Sequence, residues 1–567
     1  MKALITYLLV GAFTCWCGIS NAQDLENLQT KDPIKVSGGL NVRTIFYNAN
    51  GIENRRRPFS YIVSGGPTIS LYEIQIPISF VFSEQERSFR QPFNQIGMSP
   101  TYKWITVHAG YRNITFSPYT MAGHAILGAG VELNPGRFRF GFLHGRLNRA
   151  TAVDTTSGSL EPFSFTRRGY ALKAGFGDES RYLDFTMVKA KDDSTSASGE
   201  LPFHRPVTPA ENLALGLGSR VTFLKKFYWE GEGAISIYTQ NINSSIWLDS
   251  AEILPRRYQN TLNSIMTVNG STEFYSAFHT SLGYRGKGYS LRLQYRRVDP
   301  RYQSMGAYFF NNDVENITIT PTATLLKNKI RFDGSLGFQR DNLQNQKQAT
   351  ANRVIGAANI SADLNEKLGM DINFTNFTNS QRSRTILLAD SFLIAQTTRN
   401  LSLTPRYIHT TPTANHVVIF SFNRMELMDQ NARTSENNNI ESNHIFLNYQ
   451  LSLNEKNTSF NFNLNSTKIN LANGLNSNEG VTVGIQKRLM DKKLMLGWNS
   501  SFLRSVQLDR HFTILNNGIR GDLQAHKMHR VNFLFNHIGN IPQKSELETS
   551  QKGFTELRGE IGYNFIF

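Results

Sequence analysis

Cysteine is nearly missing from this sequence: the 567 residues contain only Cys15 and Cys17. Both fall in the opening stretch, so nothing beyond it can be held by a disulfide, and a small cross-linked scaffold is excluded. Long apolar runs are missing too. Past the N-terminal segment no run reaches the roughly eighteen apolar residues that a membrane-crossing helix needs, and mean hydropathy is −0.35. Proline is scarce, at 18 residues, and no Pro-rich, Ser/Gly-rich or low-complexity tract marks a linker. A chain of this length would ordinarily divide into several soluble domains, yet its texture is continuous to the last residue. Acidic residues are outnumbered, 44 against 60 Lys and Arg, which leaves a net charge of +16. Catalytic signatures are absent as well: there is no Gly-x-Ser-x-Gly elbow, no His-Glu-x-x-His and no Gly-rich phosphate loop. No enzyme, metal or cofactor is therefore expected.

What is present begins with an export pattern. Lys2 precedes an apolar stretch from Ala3 to Cys15, and Ser20, Asn21 and Ala22 supply small residues before a cut that leaves Gln23 at the new N-terminus. That is a secretory signal over residues 1–22, too short and too early for an anchoring helix. A lipoprotein signal is disfavoured because bulky Trp16 stands directly before Cys17, and Phe13 stands two before Cys15. Export also removes nucleic acid as a partner, despite a pI near 9.6.

Period-two alternation dominates the rest. Ile74, Ile76, Ile78, Phe80 and Phe82 share one face, with Gln75, Pro77 and Ser79 on the other. Phe138, Phe140 and Phe142 alternate with Arg137, Arg139 and Gly141. Tyr289, Leu291, Leu293 and Tyr295 alternate with Ser290, Arg292, Gln294 and Arg296; Phe460, Phe462 and Leu464 alternate with Ser459, Asn461, Asn463 and Asn465. Successive strand residues point to opposite faces, so each segment has one apolar and one polar side. Soluble sandwiches alternate over about five or six residues. These runs extend to roughly nine to fourteen, the length of a tilted membrane-crossing strand.

The corners supply a second regularity. Short polar turns are expected near Glu73, Lys103, Pro135, Asp178, Lys225, Lys287, Asn328, Glu366, Thr413, Lys456, Asp491 and Met528. Longer polar segments at 150–162, 192–206, 241–270 and 538–552 lie between them. Short turns at one rim and long loops at the other define an outer-membrane barrel, with the short side in the periplasm. The predicted fold is all-β: one large antiparallel transmembrane barrel over residues 34–567, of 22 to 26 strands with the upper end favoured, after a short periplasmic tail at 23–33.

The final strand places Leu557, Ile561, Tyr563, Phe565 and Phe567 on one face. Alternating aromatics ending in a C-terminal Phe resemble the assembly signal of Gram-negative outer-membrane proteins. That resemblance implies that Tyr563, Phe565 and Phe567 are read by the barrel-assembly machinery, and that the bilayer and lipopolysaccharide are partners. The signal ending in Ala-Gln resembles those of Bacteroidota, where very large barrels serve nutrient uptake and type IX secretion. TonB-dependent receptors carry a folded plug before the barrel, and lipopolysaccharide-inserting barrels a periplasmic domain. Residues 23–33 leave room for neither.

Three function classes stay open: a conduit for hydrophilic solutes, anionic ones among them; a structural or accessory barrel of a secretion or surface complex; and, least supported, an outer-membrane enzyme. Arg43, Arg137, Arg139, Arg292, Arg296 and Arg331 fall on polar strand faces, and a lumen they line would favour anions. Lys and Arg at the rims would instead meet lipid phosphates. A bore of more than twenty strands needs an occluder; the expected ones are an inward loop, with 241–270 the best candidate, or a plug or accessory protein. His526 and His529, three apart, are expected as solvated corner histidines on opposite faces. Asp192 and Asp193 are expected in a solvated loop.

Overall fold

A computed structural model describes residues 34–84, 94–151, 163–196, 207–246, 261–307, 312–347, 349–383, 394–429, 435–508, 510–543 and 553–567. The chain folds as a single closed antiparallel barrel of 26 strands, the upper end of the range expected from the corners. Each strand pairs with its neighbours in sequence, and Gly39–Asn50 closes the seam against Phe554–Ile566, from Gly39↔Ile566 to Asn50↔Thr555. All twelve expected tight corners are present at one rim. Their backbones are those of narrow hairpins: Leu224 and Lys225 have φ of 50° and 59°, and Met490 and Asp491 both 53°. Consecutive positive φ values match the right-handed twist of the flanking strands. Strands reach 17 residues, as in Ile394–Thr410 and Arg510–His526. Two expected loops are shorter than anticipated, because Arg181–Asp193 and His529–Pro542 continue as strand into them.

The barrel is apolar outside. Leu217 and Phe338 are 56% and 63% exposed, and they share the outer face with Leu183, Phe142, Leu464 and Trp498. A soluble protein does not display apolar surface on this scale; lipid is its solvent. Next to the tight turns the outer face carries a ring of aromatics and histidines. Phe138 and Phe176 lie 5.1 Å apart, Phe227 and Tyr284 4.8 Å, and His416 and Tyr449 6.2 Å. Such belts sit at membrane–water interfaces, where a ring can keep an apolar body in lipid and a polar tip in water. Among the described residues no helix is long and apolar enough to cross a membrane.

The inner face divides in two. From Ile105 to Arg285 it is rich in small residues, among them Gly128, Gly130, Gly141, Gly145, Ala171, Ala190, Ala214, Gly216, Ala234 and Ala277. From Ile440 to the C-terminus it is lined by amides and hydroxyls, including Asn448, Asn461, Asn463, Thr482, Asn499 and Asn536. Were the section circular, strand spacing and tilt would make it roughly 50 Å across between backbones.

Candidate functional site

Two connections on the long-loop side turn into the bore and dock on the small-residue wall. One, at 114–124, joins Ile105–Asn113 to Ala125–Leu133; the other, described at 299–307 and 312–313, joins Tyr289–Val298 to Val314–Leu325. The first makes a narrow reversal in which Met121 donates its N–H to the Ser117 carbonyl at 3.0 Å, and Phe116 donates to Met121 at 2.9 Å. The two then pair as short parallel strands, Met121↔Gly306 and Ala122↔Ala307.

Small wall residues make the docking possible. A Cβ on Gly141 would lie 2.7 Å from the Phe116 ring, and one on Gly216 3.0 Å from the Thr120 methyl. Gly306 is equally constrained, with Thr120 O 2.5 Å and Val188 Cγ1 3.0 Å from where its Cβ would stand. Met121, Met305 and Tyr302 are essentially fully buried. Polar groups are paired as burial requires: Tyr302 Oη donates to the Tyr119 carbonyl at 2.8 Å, and Ser304 Oγ to the Thr120 carbonyl at 2.7 Å. The wall answers with Asn212 Oδ1, which accepts from Met305 N at 3.0 Å, and Ser236 Oγ, which donates to the Gln303 carbonyl at 2.6 Å. Tyr119 Oη meets His279 Nδ1 at 3.0 Å. His279 is six residues above the lower end of Thr272–Arg285, so the constriction reaches to within roughly 15 Å of the short-turn rim. Above it opens a recess of 580 Å³, lined by Arg167, Asp192, Tyr238, Tyr275 and Gln303 among others.

His124 ends the first inward segment at 2% exposure, and burial lowers its pKa to about 4, with the nearby positive charge of Arg167 adding to the effect. A base whose folded pKa lies below the usual 6.5 binds fewer protons folded than unfolded between those values. The segment is therefore fully stabilised above pH 6.5 and loses up to ~3 kcal/mol as pH falls toward 4. Amide exchange in residues 114–124, corrected for intrinsic rate, should rise across that window and become pH-insensitive in His124→Asn.

The sequence-derived residues fall at different places. Arg43 faces inward at the seam, where Nη2 donates to Glu560 Oε2 at 3.0 Å and Nε lies 2.7 Å from Oε1. Arg139 faces inward but pairs with Asp184 at 2.8 Å, which Lys173 also approaches at 3.2 Å. Arg137 lies in the tight turn before Phe138, its carbonyl accepting from Gly177 N. Arg292 and Arg296 face inward opposite Gly283 and His279, and Arg331 opposite Thr324. The same wall carries Glu230 and Glu232. Tyr563, Phe565 and Phe567 join the outer aromatic ring: Tyr563 Oη meets His529 Nδ1 at 2.7 Å, and Phe565 and Phe567 lie 5.2 Å apart. The proposed cut between Ala22 and Gln23, and the tail at 23–33, lie outside the described residues.

Two expectations are corrected and a third is narrowed. Of the expected occluder 241–270 the described residues are 241–246 and 261–270, and 261–270 lie on the outer face, where Leu262, Met266 and Val268 cover Leu213 and Ile237, which share a face with lipid-exposed Leu217 and Ile235; the rest of that expectation lies outside the described residues. Asp192 is not solvated but 5% exposed, its carboxylate gripped by Arg167 Nε at 2.8 Å and Nη2 at 3.1 Å. His526 and His529 do not face opposite ways; the turn between them makes them direct cross-strand partners on the outer face, rings 5.8 Å apart.

No family model matches the chain, and no curated protein does. Among solved structures it is similar to the FrpB iron transporter of Neisseria meningitidis, at 9% identity over 96% of this chain and 83% of that one, TM-score 0.37. It is similar also to the outer membrane protein opdK of Pseudomonas aeruginosa, at 10% identity over 64% and 94%, TM-score 0.30. A third is the P pilus usher (PapC) translocation pore, at 9% identity over 94% and 100%, TM-score 0.42. At such values the fold assignment rests on the strand geometry above.

Proposed function

We propose that this protein is an outer-membrane channel for hydrophilic solutes with a preference for anions, narrowed from one side by the paired segments at 114–124 and 299–307. One observation carries the reading: a lipid-facing barrel with a polar bore holds two inward segments bonded to each other and to a single wall, facing an amide- and hydroxyl-lined wall across the lumen. Closed barrels with apolar exteriors are the outer-membrane solution to spanning a bilayer. Arg292, Arg296 and Arg331 supply the anion preference, since among the described residues they stand on the inner face outside the ion pairs that hold Arg43 and Arg139. Any further narrowing falls to an accessory protein. Planar bilayers under a KCl gradient test the proposal. Discrete conductance steps are expected, with chloride more permeant than potassium and the reversal potential moving toward zero in Arg292→Ala/Arg296→Ala. A folded but silent protein would remove the channel, and potassium preference would remove the anion route.

A further inference from the structure

The outer face between Phe138 and Asp193 is ordered in rows, because Phe138–Asn148, Thr166–Gly177 and Arg181–Asp193 pair in directly opposed register across three neighbouring strands. Rising from the aromatic ring, the rows read Phe138/Phe176/Leu183, Phe140/Ala174/Phe185 and Phe142/Leu172/Met187, all apolar but for size. The next row is His144/Tyr170/Lys189, and the one above it Arg146/Arg168/Lys191. Three cations thus stand directly opposite one another on adjacent strands, an arrangement that repels itself unless an anion is supplied.

Partners within the chain do not supply it fully. Glu211 holds Lys189 at 3.0 Å and reaches Lys191 at 3.6 Å, but it is itself buried and also accepts from Thr267 N at 2.9 Å. Arg146 donates, among the described residues, to the Tyr111 hydroxyl alone, at 3.3 Å. Among the described residues neither Arg146 nor Arg168 is in an ion pair; Asp193, the nearest acid above, feels the charge of Arg168 but makes no contact pair with it, its carboxylate being engaged with Thr195 N and Oγ1 at 3.0 Å and 2.7 Å. Elsewhere on this rim outward cations have carboxylates beside them: Arg297 and Arg340 share Glu315, Arg424 has Glu426 and Glu441, and Lys468 has Glu479.

Height identifies the missing anion. Eight residues separate Phe138 from Arg146, which at strand rise and tilt is roughly 20 Å along the membrane normal. The apolar band of such barrels is about 25 Å tall, so these side chains extend to the level of the outer-leaflet headgroups. We infer that Arg146, Arg168 and Lys191 form a binding site for the phosphorylated sugar headgroup of an outer-leaflet glycolipid, whose acyl chains lie along the apolar rows beneath. Guanidinium forks match phosphate oxygens, and Tyr170 offers a hydroxyl one row below.

Purified protein in detergent, titrated with diphosphorylated lipid A and read by native mass spectrometry, tests the site. Three further arms use the same lipid stripped of both phosphates, inorganic phosphate as competitor, and the variant Arg146→Gln/Arg168→Gln. Removing the phosphates should weaken binding by about tenfold or more, the value of charge-assisted bonds to phosphate. In the double variant that difference should vanish, while Arg146→Lys/Arg168→Lys keeps most of it. Arg340→Gln/Arg424→Gln, which removes the same charge from paired positions, should leave it intact and serves as the folding control. Equal binding of the phosphate-free lipid, undiminished discrimination in the double variant, or displacement by inorganic phosphate as effective as by lipid would each overturn the assignment, the last in favour of a free-phosphate site.

Discussion

Replacing residues 116–122 by a short Gly-Ser bridge is expected to raise single-channel conductance severalfold, and Gly306→Val to produce brief openings to that same level. The difference follows from magnitudes. The inward pair is held by six hydrogen bonds that involve a side chain, at Tyr302, Ser304, Met305, Ser236, Tyr119 and Thr120, each contributing about 1 kcal/mol. Burial of Met121, Met305 and Tyr302 adds about 2 kcal/mol for each side chain. Together that is on the order of 10 kcal/mol, against about 1–3 kcal/mol for forcing a valine into the space beside Thr120 and Val188. Gly306→Val therefore multiplies the detached population by roughly ten to a hundred without making it dominant, which reads as flicker. The bridge removes Tyr119, Thr120 and Met121 outright, leaving the second segment with no partner strand. Unchanged conductance in the bridged protein would show that residues 114–124 do not obstruct the current path.

Alternation and corner chemistry make the barrel legible in the sequence itself. Each strand must keep one face in lipid and one in water, so every membrane-crossing segment repeats the same local rule, and the twelve corners follow from the same geometry. The constriction obeys no such rule. Tyr302 and Tyr119 meet across 183 positions of chain, and nothing local distinguishes a loop that folds inward from one that folds out. Length favours 241–270, but Leu262, Met266 and Val268 at its described end find Leu213 and Ile237 on the outer face, where Glu211 and Thr239 bond to Thr267. A usable signal does exist. The polar faces of the early strands are not very polar: they carry Gly128, Gly130, Gly141, Ala171, Ala214 and Gly216, where the later strands carry Asn and Thr. A wet wall has no need of glycine, whereas a wall that receives another segment at backbone distance does. Charge is partly legible. The arginines on alternating faces can be picked out, but their compensation by Glu560 and Asp184 depends on strands that are distant in sequence or offset in register.

Arginine placed one residue apart on the same strand is expected to give opposite outcomes. In Thr458–Leu471, Leu464 points outward and is 43% exposed, opposite Leu447 on one neighbour and Val481 on the other. It lies six residues above Thr458, roughly 15 Å from the short-turn rim and near the middle of the apolar band. Leu464→Arg should cost about 2–4 kcal/mol, the depth-dependent cost of a cation on the lipid face. Asn463 faces the bore and accepts from Asn448 Nδ2. Asn463→Arg forfeits one solvent-accessible bond, about 1 kcal/mol, and its charge stays in water. The gap of about 2 kcal/mol corresponds to roughly thirtyfold in the folded-to-unfolded ratio, readable by urea titration in lipid vesicles or as the yield of heat-modifiable protein in membranes. The two positions differ by a single step along one strand, so local propensity, export and loop chemistry are shared between them. Equal losses, or a larger loss for Asn463→Arg, would mean that the face assigned to lipid is the one facing water, and every inward assignment at the constriction would reverse with it.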